Sequence, residues 1–188
     1  IQDSASAEEM LKRDIVNAIS DKLEATILGS AAGSATMPAG IFNGVTAETK
    51  DITYKRLVDM ETALEEANVA GNKCFIVSPS AKGILKTTAK DALYNVTDGG
   101  VHTCVGCAGC LMEENEVNGY PVYCTSNVTS KGVVMGHFED FVIGQWGGID
   151  LTVDPYTQAA NGKVRLVINA YFDAKPRRTG SFQKAILK

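Results

Sequence analysis

The sequence predicts an α+β fold: one long helix packed along a long antiparallel β ribbon, with a second α+β unit between them in the chain. Three observations carry this reading. From Val164 the apolar residues Val164, Leu166, Ile168, Ala170 and Phe172 alternate with Lys163, Arg165, Asn169, Tyr171 and Asp173, the period of a strand with one buried face. Upstream, Ile149, Leu151 and Val153 alternate with Asp150, Thr152 and Asp154 and stop at Pro155, which has no amide to give a ladder. The loop PYTQAANG, closing on Asn161-Gly162, returns the chain as an antiparallel partner. Near the start, Leu11, Ile15, Ile19, Leu23 and Ile27 recur every four residues, as in an amphipathic helix. Two strands alone are marginal in water, so this helix is expected to supply the layer over the ribbon.

In chain order, residues 4–29 read as the long helix, with Ser6 and Glu9 at capping-box spacing and Gly29 placed as a left-handed stop. At about 1.5 Å per residue the rod is roughly 33 Å long, and its four-residue repeat drifts about 40° per step, so the seam spirals. Residues 29–44, rich in Gly, Ala and Ser with turn signals at Pro38 and Asn43-Gly44, form a connector. They lack the Gly-Lys-Ser/Thr end and preceding strand of a phosphate cradle. Residues 53–70 read as a second helix capped by Thr53, with Leu57, Met60, Leu64 and Ala67 on one face and Gly71 as the stop. The strand KCFIVS, closed by Pro79, and the short helix SAKGILKTT follow, with Cys74 buried as a small hydrophobe. Residues 89–110 show neither period and read as a long exposed loop. LMEENEV and YPVYCTS flank Asn118-Gly119, a two-residue hairpin signal, and VVMGHF and FVIGQW supply further strands.

With 188 residues, 45% hydrophobic and 21% charged, the composition is that of a globular protein able to bury a sizeable core. No run of roughly twenty apolar residues is present to span a bilayer as a helix, and no membrane partner is expected. The chain opens IQDSASAEE without a Met and reads as a piece or processed form of something longer. The net charge of −4 is unevenly placed: after Asp173 come Lys175, Arg177, Arg178, Lys184 and Lys188 with no acid, leaving 13 basic against 22 acidic groups, or −9, in residues 1–173. Such a body does not attract a polyanion, which needs clustered Lys and Arg. The basic tail reads as a solvated or partner-contacting end. The odd set Cys74, Cys104, Cys107, Cys110 and Cys124 points to reduced thiols rather than a disulfide framework.

The sharpest chemical pattern is Cys104-x-x-Cys107-x-x-Cys110, with His102 just before it and Gly106 and Gly109 within it. It starts like a ferredoxin cluster motif, but the fourth Cys position holds Glu114 and no Pro follows. A zinc site of His102, Cys104, Cys107 and Cys110 is conceivable. Thiols in an exposed loop, or bridges between neighbouring subunits on oxidation, are the preferred reading, so no cofactor is expected. His102 and His137 are far apart and have no partner motif; His137 reads as a hydrogen-bonded structural histidine. Glu113, Glu114 and Glu116 read as a solvated hairpin edge and Trp146 as a packing anchor. There is no Gly-x-Ser-x-Gly elbow. No catalytic residue is assigned, and the chain is read as a non-enzyme.

The order of these segments resembles the major capsid proteins of tailed bacteriophages with the Hong Kong ninety-seven fold. The segments are a long helix, GSATMPAGIFNG, YKRLVDMETALEEANV, KCFIVSPSAKGILK, NGYPVYCTSNV, GHFEDFVIG, the ribbon IDLTVDPY to VRLVINAYFD, and RRTGSF. The resemblance implies a peripheral domain at 1–47 and 136–188, holding the spine helix and long ribbon, and an axial domain at 48–135. Asp98, Gly99, Gly100, Val101, Cys104, Cys107 and Cys110 then become candidates for a subunit interface, on a loop aimed at the axis where copies converge. It also implies self-association into capsomers of an icosahedral shell that encloses double-stranded DNA without sequence-specific binding. Scaffold, portal and protease proteins would be further partners, in the virion and, during assembly, the host bacterial cytoplasm.

Relatives carry an N-terminal arm and an extended loop before the spine helix, and this chain begins where those end. Some cross-link their shells through a ribbon Asn; that position is Leu166 here, with Asp173 in the place of the catalytic carboxylate, so this cross-link is not expected. Two alternatives share the sequence: a nanocompartment shell of the same fold with protein cargo, and a metal or redox protein built on the cysteine loop. Replacing Cys104, Cys107 and Cys110 with Ser separates the latter. Shells seen by negative-stain microscopy should survive the change, whereas a redox protein would lose its function.

Overall fold

The computed structural model describes residues 5–90 and 109–188. Asp98, Gly99, Gly100, Val101, His102, Cys104 and Cys107 lie outside the described residues. The first helix, α1, runs Ala5–Ile27. Gly29 does not stop it in a left-handed conformation, since its φ is not among the positive ones. The chain is instead tied back by Ile41 N–H donating to the Ile27 carbonyl (2.7 Å) and Phe42 N–H to that of Gly29 (3.0 Å).

Helix α2 spans Tyr54–Glu66, and the Thr53 side chain accepts from Arg56 N–H, filling one of the orphan donors at a helix start. It ends sooner than the pattern predicts. Asn68 takes φ 52, and Asn68 N–H to Glu65 (2.9 Å) with Val69 N–H to Leu64 (3.0 Å) make a left-handed C-cap of the Schellman kind. Asn68, not Gly71, is therefore the stop.

Strand β1, Cys74–Val77, leads into α3, Pro79–Thr87, where Ser78 caps and Pro79 occupies the first turn, a position with no lost hydrogen bond. Strands β2, Glu116–Val117, and β3, Tyr120–Cys124, meet at Asn118-Gly119. Both turn residues have positive φ, 52 and 79, the requirement of a type I′ turn. The predicted first strand is cut short because Glu114 and Asn115 (φ 47 and 67) turn the chain again. Glu114 thus lies in a turn and Glu113 at an isolated bridge to Glu116, while Glu116 stands exposed on the edge strand β2 as expected.

Strand β4, Gly132–Gly136, is followed by β5, Phe141–Asp154, β6, Arg165–Pro176, and β7, Phe182–Ile186. Two sheets result: five strands in the order β2-β3-β1-β4-β7, and the ribbon β5-β6. Strand β7 corrects the reading of the tail as a solvated end. It pairs antiparallel with β4 along its length and buries Phe182 and Ala185, with Leu187 just beyond.

Two cores pack against opposite faces of the five-stranded sheet, although Tyr123 on β3 stays exposed. On one side Leu57, Met60 and Leu64 of α2 and Ala81 and Leu85 of α3 pack with Phe75, Val77, Val133 and Met135. On the other, Ile27 and Leu28 meet Ile41, Phe42, Val134, Ala174 and Phe182. The alternation along β4 assigns Val133 and Met135 to one core and Val134 to the other, as a pleated strand requires. The burial of α1 follows its distance from this second core: Ile27 is buried, Ile15, Ile19 and Leu23 are half-buried, and Leu11 is exposed.

Phe75 is fully buried, so Phe75→Ala should cost about 3–5 kcal/mol in urea unfolding. Leu151→Ala, on the ribbon, should stay within about 0.5 kcal/mol; equal costs would mean that the ribbon is packed within the chain.

Candidate assembly interface

The ribbon β5–β6 is the longest strand pair among the described residues, and several of its large apolar side chains are exposed. Its register places Leu151 beside Ile168 and Val153 beside Leu166, so these four share one apolar face. Helix α1 touches β6 and leaves Leu166 and Ile168 half-buried. The expectation that α1 covers the whole face is corrected on the β5 side: Leu151 is 54% exposed and Val153 and Ile149 are similarly open. At the end of α1, Ile27 and the following Leu28 are buried in the core that also holds Ala174 near the base of β6.

On the opposite face Trp146 pairs with Tyr171. Trp146 is 60% exposed, so it is no packing anchor of the core; its indole lies over Gly144, within 3.0 Å of where a Cβ would stand. Past Trp146 the register shifts before resuming at Asp150, a bulge that bends a strand and increases its twist.

At the tip, Asp154 shapes the loop. One carboxylate oxygen accepts from Tyr156 N–H (3.0 Å) and Thr157 N–H (3.1 Å), and the other accepts from the Thr157 hydroxyl. This arrangement holds Tyr156 out at 86% exposure. Sequence reading took the loop only as a turn; an Asp three residues before a Thr was the available signal for a side-chain-shaped tip.

Of the sequence-predicted interface residues, Cys110 is described. Its amide donates to Glu113 Oε1 at 3.1 Å, and it bridges to Ala89 across the base of the loop. Cys110 is disulfide-bonded, which departs from the expectation of reduced thiols; Cys74 and Cys124 are free. Cys74 is half-buried rather than buried, and desolvation raises the pKa of its thiol. His137 is buried, and its Nδ1 is hydrogen-bonded to the Asn72 carbonyl at 2.8 Å.

A sheet body that holds out a long, half-exposed apolar ribbon presents a contiguous apolar surface of the kind that marks an interaction site. A family model described as the phage capsid family matches residues 1–185, and the chain belongs to that family. The major capsid protein of Halomonas phage phiHAP-1 is 27% identical over 190 residues, which is 98% of this chain and 29% of the relative. The chain thus spans less than a third of that protein's length. Among solved structures, the capsid of an empty GTA particle matches with a TM-score of 0.66 at 19% identity, over 100% of this chain and 68% of that one. An encapsulin of Synechococcus elongatus matches with a TM-score of 0.56 at 12% identity, over 93% and 63%. The shared fold is the Hong Kong ninety-seven fold, with its long helix, long ribbon and α+β body.

The Thr157 hydroxyl and the two tip amides hold the pKa of the Asp154 carboxyl below its ordinary value. A depressed folded pKa means that the carboxylate steadies the tip above the unfolded pKa of about 3.9, and that this contribution fades as pH falls through the folded value. Thr157→Val should raise the Asp154 pKa toward the ordinary range in an NMR titration; an unmoved midpoint would remove the hydroxyl from the account.

Proposed function

We propose that this chain is the shell-forming part of a bacteriophage major capsid protein, a structural subunit that self-associates into capsomers of an icosahedral shell and performs no catalytic turnover. The observation that carries the reading is the uncovered apolar ribbon, held on a well-packed sheet, in a member of the phage capsid family. Leaving Leu151, Val153 and Ile149 half in water forgoes about 25 cal/mol per Å² of apolar surface, a gain that contact with another copy recovers.

In this reading residues 1–47 and 136–188 form the peripheral part and residues 48–135 the axial part, with β7 reaching across to close the sheet of the axial part. Asp98, Gly99, Gly100, Val101, Cys104, Cys107 and Cys110 lie where axial parts of neighbouring subunits converge. The shell encloses double-stranded DNA without reading its sequence, consistent with the acidic balance of residues 1–173, which holds polyanionic cargo loosely. Scaffold, portal and protease proteins act with it, in the host cytoplasm during assembly and in the virion afterwards. The encapsulin likeness favours a second reading, a nanocompartment with protein cargo, which differs in what the shell contains.

In the full-length protein, Leu151→Asp with Val153→Asp should abolish shells in negative-stain images while the folded subunit keeps its circular dichroism. Normal shells from the double variant would overturn the interface. The ratio of absorbance at the nucleic-acid and protein maxima of purified shells separates DNA from protein cargo.

A further inference from the structure

Asn-Gly occurs three times in the chain, at Asn43-Gly44, Asn118-Gly119 and Asn161-Gly162. Each pair stands in a turn, and the three glycines share the left-handed backbone, with φ of +73°, +79° and +63°. The space where a Cβ would stand is open at all three. The same dipeptide in similar turns is thus set in three different surroundings, and those surroundings decide its chemistry.

Asn is a thermolabile side chain, most of all before Gly, because the next amide nitrogen then reaches the side-chain carbon with no Cβ in the way. Ring closure makes three demands. The glycine N–H must be free to give up its proton, and the carboxamide must be free to turn toward it. The carboxamide oxygen, which takes the negative charge as the ring closes, must meet water or a donor.

At Asn161-Gly162 the first two are withheld. Gly162 N–H donates to the Ala159 carbonyl at 3.0 Å, and Asn161 Nδ2 donates to Gln158 Oε1 at 3.0 Å. At Asn118-Gly119 the last two are withheld. Asn118 Nδ2 donates to Glu61 Oε2 at 3.4 Å, and Glu61 Oε1 accepts from the Tyr120 hydroxyl at 3.0 Å. Asn118 Oδ1 is buried with no hydrogen-bond partner among the described residues. Charge developing there would meet a carboxylate on the same amide and neither water nor a donor.

Asn43-Gly44 meets every demand. Asn43 N–H donates to the Gly40 carbonyl at 3.0 Å and Val45 N–H to the Phe42 carbonyl at 3.1 Å, but Gly44 N–H between them has no partner among the described residues. The Asn43 side chain is exposed, so its carboxamide turns freely and its oxygen stays in water.

We propose that Asn43 is the site of spontaneous deamidation in this chain. The Gly44 nitrogen gives its proton to solvent and attacks Asn43 Cγ. The N–Cγ bond forms, the Cγ–Nδ2 bond breaks, and Nδ2 takes up a proton from solvent and leaves as ammonia. One water then opens the succinimide ring, at Cγ to give aspartate or at the main-chain carbonyl carbon to give isoaspartate. Both products add a negative charge, and isoaspartate also lengthens the main chain by one carbon beside Phe42. Phe42 is fully buried in the core that holds Ile27 and Leu28, and its N–H donates to the Gly29 carbonyl. The modification therefore acts on the tie between the end of α1 and the body. It belongs to the single chain and does not rest on the shell reading.

The unassembled full-length protein, held in mildly alkaline buffer and sampled over time, can be digested and its three Asn-Gly peptides resolved by mass spectrometry into Asn, aspartate and isoaspartate forms. The Asn43 peptide should convert about tenfold faster than either of the others, equivalent to about 1.4 kcal/mol of barrier. In urea, where the surroundings are gone, the three rates should converge. Asn43→Ser should remove the early product from the folded protein. Conversion at Asn118 or Asn161 as fast as at Asn43 in the folded protein would overturn the proposal. So would the same tenfold order persisting in urea, since flanking sequence rather than the fold would then set it.

Discussion

The pairing of β4 with β7 is the constraint on which the remaining architecture depends. It brings the end of the chain back into the sheet, and it does so on the strand that immediately precedes the ribbon. Both feet of the ribbon are thereby fixed to adjacent strands, so a two-stranded structure that would be marginal in water inherits its alignment from a packed sheet. The same pairing supplies Phe182 to the core that receives the last turns of α1.

Energetically the molecule divides sharply. The sheet is packed on both faces along β4, with Phe42, Phe75, Leu57, Met60 and Leu64 fully buried, while Tyr123 on β3 stays open. The ribbon keeps its apolar alternation and leaves much of it in water. The alternation of residues 149–154 gives the ribbon an apolar face, and Ile149, Leu151 and Val153 on it remain about half exposed. Membership of the phage capsid family gives this imbalance a natural reading, since shells are built from subunits that finish one another's packing.

Local features were legible in the sequence because local physics determines them. The Thr53 cap, the Asn118-Gly119 turn and the alternation of both ribbon strands depend on neighbours a few residues away. The features that escaped depend on distant partners. Strand β7 was hidden by its setting: the basic residues around Phe182, Ala185 and Leu187 read as a charged tail, and only the groove beside β4 makes them a strand. The four-residue repeat of α1 identified a helix but not how much of its seam is buried, because that depends on where the ribbon diverges. Asn68 took over the stop expected of Gly71, since a left-handed Asn two residues past the helix closes both C-terminal bonds, while Gly71 is claimed by the His137 ring. Of the candidate interface, the ribbon face was visible as a pattern and mistaken for core; on the cysteine loop, Cys110 is within the described residues.

The central claim is that the ribbon is paired but uncovered in the single chain and becomes covered only between chains. Amide hydrogen exchange, followed by mass spectrometry on the unassembled protein and on assembled shells, tests it most directly. The account predicts strong protection of β1 and β4 in both states, and protection of residues 149–154 that is weak in the subunit and rises on assembly. Strong protection of residues 149–154 already in the unassembled subunit, unchanged by assembly, would contradict it.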